Sequence, residues 1–391
     1  MPNPLLGVFY HWLGGLASAS FYLFYRPVKK WSWETYWLVG GFFSWIIAPM
    51  LLAWLLVPDL WSLIQQTNGT TLFLTFLCGV AWGFGGLTYG LTMRYLGLAL
   101  GMAVVLGFCA AFGTLVPPLV SGQLAPMMHT TNGVVVLIGV AVCLAGIGVS
   151  GMAGTAKEKE LSTEEKLAAI KEFNFPKGML VATFSGVMSA FFSYGLQAGK
   201  PLGGLAKASL LSHGGSDLWQ NLPILVVILW GGFTTNFVWC VILNIKNRSS
   251  HEYLNLRNTA VAEVSIAEGV MMSAAAEEKS VRSTESFPQE TGPAPLIPNY
   301  IFSALAGTCW YMQFFFYSMG QTKMGKYDFS SWTLHMASII IFGTLWGIYF
   351  REWKGTSKRT HALVWFGLFV LVSSTIIVGY GNYLGAVAAK H

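Results

Sequence analysis

Apolar stretches of about twenty residues, the length a helix needs to cross the hydrocarbon core of a bilayer, recur ten times along this 391-residue chain. They cover approximately 4–24, 36–57, 71–92, 97–120, 132–153, 178–198, 218–244, 298–320, 328–350 and 361–385. Only 10% of the residues are charged, against about a quarter in ordinary soluble domains, so the stretches run largely uninterrupted. In lipid every backbone N–H and C=O has to be bonded within the protein, which leaves helices or closed barrels, and runs this long select helices. The expected class is an all-α polytopic membrane protein of ten transmembrane helices, surrounded by membrane lipid. The net charge of +6 sits in short Lys and Arg runs between the apolar stretches rather than on one basic face, which excludes a nucleic-acid-binding role.

Those cations set the expected orientation. Loops on one side hold eighteen of the 23 Lys and Arg residues, among them Arg26, Lys29, Lys30, Arg94, Lys157, Arg248, Arg351 and Lys354. The other side holds Lys200, Lys207, Lys323, Lys326 and Lys390. The richer side is expected to be cytoplasmic, which places both termini on the periplasmic face. No positive charge precedes Leu5, so the first apolar run is read as a span rather than a secretory leader.

The chain also repeats itself. Gly15, Ser18, Ala19, Phe21 and Lys29 recur as Gly186, Ser189, Ala190, Phe192 and Lys200. Gly79, Trp82, Tyr89 and Gly97 recur as Gly307, Trp310, Tyr317 and Gly325, and Phe112 to Leu115 as Phe342 to Leu345. The matches pair spans one to five with spans six to ten, and because five is odd the second half enters from the opposite face. Two inverted five-helix repeats are therefore expected, over 1–156 and 178–391, joined by a cytoplasmic linker at 157–177. Within that linker, Ser162 or Thr163 followed by Glu164 and Glu165 suits the start of a surface helix. A cytoplasmic loop insertion at 245–298, ending in a Pro-rich run, interrupts the second repeat. Inverted repeats are a feature of secondary transporters, whose sites lie near the midplane between the halves.

Polar side chains inside the apolar stretches mark where such a site would be, because they are costly in hydrocarbon and turn toward protein or water. The richest segment is Trp310 to His335. On a helix, Trp310, Gln313 and Tyr317 share one face, and Asp328, Ser331, Trp332 and His335 share a face of the next. His11, Gln313 and His335 each lie seven residues below the outer end of their span, roughly 10 Å deep at 1.5 Å per residue, and are expected to form one layer. Trp82 and Tyr89 mirror Trp310 and Tyr317 in the other half. A flat aromatic wall with a polar notch suits a sugar, which has apolar C–H faces and directional hydroxyls; aromatic stripes at this spacing also serve as packing. Asp328 reads equally as a proton-binding group and as an N-cap. Lys200 reads as an interfacial cation or a substrate contact, and Glu34 as part of an inner gate or as a counter-charge to Lys29 and Lys30. The five cysteines lack metal-ligand or redox spacing, and no metal or cofactor motif is present.

These residues also resemble a known family. The segments FYHWLGGLASASFY at Phe9, KKWSWETYW at Lys29, YGLTMRYLG at Tyr89, QAGKP at Gln197, WYMQFFFY at Trp310, YDFSSWTLHM at Tyr327 and EW at Glu352 resemble those of the L-rhamnose–proton symporters, within the drug/metabolite transporter superfamily. That pattern has an asparagine two residues before the tyrosine where this chain has Leu87. The resemblance implies import of L-rhamnose, or a close deoxy sugar, by proton symport across a bacterial inner membrane. The sugar is then expected against His11, Trp82, Tyr89, Trp310, Gln313, Tyr317, Trp332 and His335, and the proton at Asp328 and His335, with Lys200 and Glu34 as further candidates. The residues alone leave two other classes open: a metabolite or drug exporter on the same scaffold, and a membrane-embedded enzyme. The enzyme is disfavoured because HExxH and GxSxG are absent and no carboxylate pair lies within a span. No Walker A motif offers ATP as the energy source.

Overall fold

A computed structural model describes residues 2–160, 174–255 and 293–388. The described residues form helices, turns and connecting loops, without strands. Ten long helices follow in chain order: α1 (Pro4–Tyr25), α2 (Trp33–Leu56), α3 (Gly69–Leu96), α4 (Leu98–Val120), α5 (Thr131–Glu160), α6 (Phe175–Ala198), α7 (Leu222–Asn247), α8 (Leu296–Lys323), α9 (Ser331–Tyr349) and α10 (Lys358–Ala388). By length and apolarity, eight helices among the described residues can cross a membrane. The other two of the ten expected spans, α1 and α8, have 22 and 28 residues, which is long enough. Their apolar character is diluted by His11, Asn299, Gln313 and Gln321, all of which are buried. The expected linker helix after Ser162 and most of the 245–298 insertion lie outside the described residues.

Local chemistry sets the helix ends. Asn3, Asn68 and Asn174 cap α1, α3 and α6 with side-chain oxygens that accept from Leu6, Thr70 and Lys177 N–H at 3.2, 2.8 and 3.1 Å. Gly97, with φ +80°, makes the turn between α3 and α4. Two helices borrow caps from distant segments: Glu252 accepts from Ser32 N–H and Oγ at the start of α2, at 2.7 and 2.8 Å. Glu160, at the end of α5, accepts from Ser357 N–H, Ser357 Oγ and Thr360 Oγ1 at the start of α10. Inside α2, Phe42–Ile47 widens into a π-helical turn, a distortion frequent at functional sites.

The long helices pack mostly across the two halves of the chain: α1 on α8 and α9, α3 on α6 and α7, α4 on α6, α5 on α10. Small residues permit the closest approaches. A Cβ on Gly79 would collide with the Ile228 carbonyl oxygen of α7, and one on Gly307 with the Gly40 carbonyl oxygen of α2.

Before α9 the structure departs from the expected helix start at Asp328. Gly325, with φ +75°, opens a 3₁₀ turn over Gly325–Ser330 in which Tyr327 is non-helical. The turn is fastened by Ser330 Oγ donating to the Tyr327 carbonyl at 2.7 Å and by Asn382 Nδ2 of α10 donating to Ser330 Oγ at 3.0 Å. Asp328 therefore lies in this turn, ahead of the α-helix that carries Ser331, Trp332 and His335.

Candidate substrate site

Between the halves lies a cavity of about 390 Å³, lined by residues of α1 to α9. Its deep end is aromatic. The rings of Trp82 on α3 and Trp310 on α8 face each other at 5.8 Å, and Phe314 meets them edge-on at 5.7 and 5.0 Å. Phe192 of α6 stacks on Phe314 at 4.1 Å and on Trp332 of α9 at 5.7 Å. Trp332 is fixed by Nε1–H donating to the Cys109 carbonyl of α4 at 3.0 Å. The wall is thus assembled from four helices, α3 of the first half and α6, α8 and α9 of the second, whose rings support one another.

Polar groups break this wall at a few points. Gln313 Nε2 and both ring nitrogens of His335 are buried and meet no hydrogen-bond partner from the protein, and the same holds for the Tyr22 hydroxyl. Such groups stay costly until something bonds them, by about 1–3 kcal/mol each. A neutral polyol with one apolar face meets both needs: ring C–H groups against indole and phenyl faces, hydroxyls against the imidazole and carboxamide. α1 passes at the same level through Gly14, where a Cβ would come 2.8 Å from the Gln313 carbonyl oxygen and 3.6 Å from His335 Nδ1.

From this deep end the cavity extends to Lys157 and Glu158 at the end of α5 and to Glu352 and Trp353 beyond α9, all partly exposed. Lys157 Nζ sits over the Trp353 ring, 5.2 Å from its centroid. The mouth therefore lies at the end of the molecule where most Lys and Arg residues cluster. Asp328, at the other end of α9, is outside the lining.

Six of the expected site residues line the cavity: Trp82, Tyr89, Trp310, Gln313, Trp332 and His335. His11 and Tyr317 stand just behind it, with Tyr317 between the two histidines at 5.2 Å from each ring. Asp328 and Lys200 are brought together, Nζ to Oδ2 at 3.0 Å, with side chains 24% and 52% exposed. Glu34 is buried elsewhere, accepting from Asn247 Nδ2 at 3.0 Å and Ser249 Oγ at 2.7 Å, and so ties the start of α2 to the end of α7. Lining residues that the sequence reasoning passed over include Phe314, Ser189 and Asn236. Asn236 accepts from Trp37 Nε1 at 3.4 Å and donates to the Gly232 carbonyl at 2.9 Å. A carboxamide inside an apolar stretch is the signal that drew attention to Gln313, and it applies equally to Asn236.

Comparison with known proteins adds an independent line. A family model described as L-rhamnose-proton symport protein matches residues 1–278 and 291–384. An L-rhamnose-proton symporter of Klebsiella pneumoniae (strain 342) is 35% identical over 378 residues, 96% of this chain and 97% of its own length. Proteins of the same description from Salmonella paratyphi B (strain ATCC BAA-1250 / SPB7) and Salmonella newport (strain SL254) are 36% identical with the same coverage.

Proposed function

The chain belongs to the L-rhamnose-proton symporter family, and from that membership we propose that it imports L-rhamnose together with a proton across the bacterial inner membrane, as a transporter rather than an enzyme. The observation that carries the reading to residues is the cavity: unpartnered Gln313 and His335 set into the Trp82, Trp310, Phe314 and Trp332 wall. L-Rhamnose is a 6-deoxy sugar, so it offers a methyl group and C–H faces to the rings and its hydroxyls to the two polar side chains. Tyr89 is a further contact on the α3 side of the lining.

The protein is built as two inverted five-helix repeats. Under the pairing of the first five helices with the last five, α1 on α8 becomes α6 on α3, α1 on α9 becomes α6 on α4, and α2 on α8 becomes α7 on α3. Each of these contacts has its counterpart in the packing, and α5 on α10 maps onto itself. The repeated glycines support the same pairing. Gly79 abuts α7 as Gly307 abuts α2, and Gly15 abuts Ser338 of α9 as Gly186 abuts the Val105 carbonyl of α4. With both termini periplasmic, the Lys157 and Glu352 mouth faces the cytoplasm, and this conformation is the inward-facing state. Its periplasmic end is held shut by Lys200–Asp328 and by Lys323–Asp217 at 3.2 Å.

Coupling is placed at Asp328 and His335. A proton taken up by Asp328 from outside breaks its ion pair with Lys200, which loosens the outer closure, and His335 connects the proton to the sugar pocket. Inward movement of one charge supplies about 2.3 kcal/mol per 100 mV. The test is uptake of labelled L-rhamnose by purified protein in proteoliposomes with an imposed pH gradient. Concentrative uptake that collapses with a protonophore is expected; failure to concentrate L-rhamnose under any gradient polarity overturns the reading.

A further inference from the structure

Glycine destabilises a helix interior relative to alanine, and along the inner side of α3 close packing accounts for most of those present. A Cβ on Gly79 would strike the Ile228 carbonyl oxygen of α7, one on Gly83 the Thr235 side chain of α7, and one on Gly85 the Ser189 side chain of α6. Gly86 has no such neighbour: a Cβ there would meet no packed atom within 4 Å. The open space beside it is the cavity, which Gly86 lines together with Trp82 and Tyr89. These positions stand at i, i+4 and i+7 on one face of α3, about 10 Å from end to end, and the exposed Phe84 and Leu91 mark the other side of the helix. A sugar that touches both rings therefore passes over Gly86. The second half fills the matching place. With Trp82 paired to Trp310 and Tyr89 to Tyr317, Gly86 falls on Phe314, whose ring stacks on Phe192 at 4.1 Å and meets Trp310 edge-on at 5.0 Å. One half supplies a ring at this position and the other supplies room.

We infer that Gly86 is the seat of the sugar ring and the residue that sets the size limit of the site. This rests on the reading of the cavity as a sugar site and names a determinant within it. The ligand class is a six-membered sugar ring with an apolar C–H face. That face lies on the bare backbone of α3 at Gly86, between Trp82 and Tyr89, and hydroxyls on the ring edge turn toward Gln313 and His335. The missing side chain lets the ring come close enough to α3 to use both aromatic contacts; a methyl group in its place holds the ring off. Gly343 of α9 gives the comparison, because it lines the same cavity and a Cβ there also meets no packed atom within 4 Å. It lies eight residues beyond His335 on α9, about 12 Å along the axis toward Glu352. Room at Gly343 belongs to the way out, whereas room at Gly86 lies between two of the rings that face the sugar.

The experiment measures L-rhamnose binding by isothermal titration, beside thermal unfolding without sugar, for full-length wild type, Gly86→Ala, Gly86→Leu and Gly343→Ala. One carbon too many in a fitted pocket changes affinity about tenfold to two-hundredfold. Gly86→Ala should accordingly bind L-rhamnose at least about tenfold more weakly, and Gly86→Leu more weakly still. Gly86→Ala should unfold at or above the wild-type midpoint, because alanine is the better helix former and its methyl group enters open space. Gly343→Ala should keep wild-type affinity. Three results each overturn the inference. Wild-type affinity in Gly86→Ala shows that no ligand uses the space. A lowered midpoint or failed assembly of Gly86→Ala gives the glycine to packing. An equal loss of affinity in Gly343→Ala makes narrowing anywhere in the cavity the cause. Should Gly86→Leu alone fail to assemble, Gly86→Ala decides. A wild type that binds no L-rhamnose would instead overturn the sugar reading on which the seat rests.

Discussion

Replacing Gln313 with alanine separates a sugar contact from a structural one. The carboxamide nitrogen is buried at the cavity and donates to no protein acceptor, although it carries two N–H groups. In the sugar-free protein its removal breaks no bond from this nitrogen, and it relieves the roughly 1–3 kcal/mol cost of an isolated buried donor. The deleted methylenes pull the other way, since Gln313 is buried, and the two effects offset. The thermal midpoint is therefore expected to stay within about 4 °C of wild type, the shift that corresponds to about 1 kcal/mol in a protein of moderate size. With sugar bound the balance changes: each bond from this nitrogen to a hydroxyl contributes about 0.5–1.5 kcal/mol net. Losing one bond weakens binding about twofold to tenfold, at 1.4 kcal/mol per decade. Isothermal titration of L-rhamnose into the purified variant, beside a thermal unfolding scan, reads both quantities. Unchanged affinity refutes the contact, whether the midpoint holds or falls; a fall would assign Gln313 to packing instead.

Asp328→Asn removes the carboxylate of an ion pair whose partner is half exposed; stability should change by less than about 1 kcal/mol, while uphill accumulation of L-rhamnose is lost and counterflow survives. Retained protonophore-sensitive accumulation would remove Asp328 from coupling. Gly307→Ala drives a methyl group into the Gly40 carbonyl and should destabilise the protein by about 1–3 kcal/mol, seen as a lower detergent-solubilised midpoint; a midpoint equal to wild type would show that α2 and α8 can separate freely. Single cysteines introduced after Arg26 and at Thr356, in a background with the native five replaced, should resist an impermeant thiol reagent added outside cells. Labelling of either from outside reverses the proposed orientation.

Helix positions were legible because a bilayer imposes one length and one polarity on every span, and the expected 4–24 and 178–198 differ from Pro4–Tyr25 and Phe175–Ala198 by a few residues. Membership of a face was legible too, since a 3.6-residue period puts Trp310 and Gln313 on one side of α8, and both line the cavity. Distance along the axis was not. Tyr317 shares their face but lies one turn beyond Gln313, outside the cavity lining, where the packing of α1 and α9 brings histidines to it. Asp328 stands ahead of α9 rather than within it for a local reason: the positive φ of Gly325 and the Ser330 bond make a 3₁₀ turn over Gly325–Ser330. Ser189 and Asn236 reach the cavity because α6 and α7 pack against α3, a tertiary fact without a sequence period. The polar residues that were hardest to reconcile with spanning helices were the most informative. His11 and Gln313 make α1 and α8 less apolar than the eight clearer spans, and these are the two helices that pack on each other beside the aromatic wall. A helix facing lipid could not carry them; a helix shielded by its partner can, so reduced apolarity in two mutually packed spans marks where buried polar groups gather.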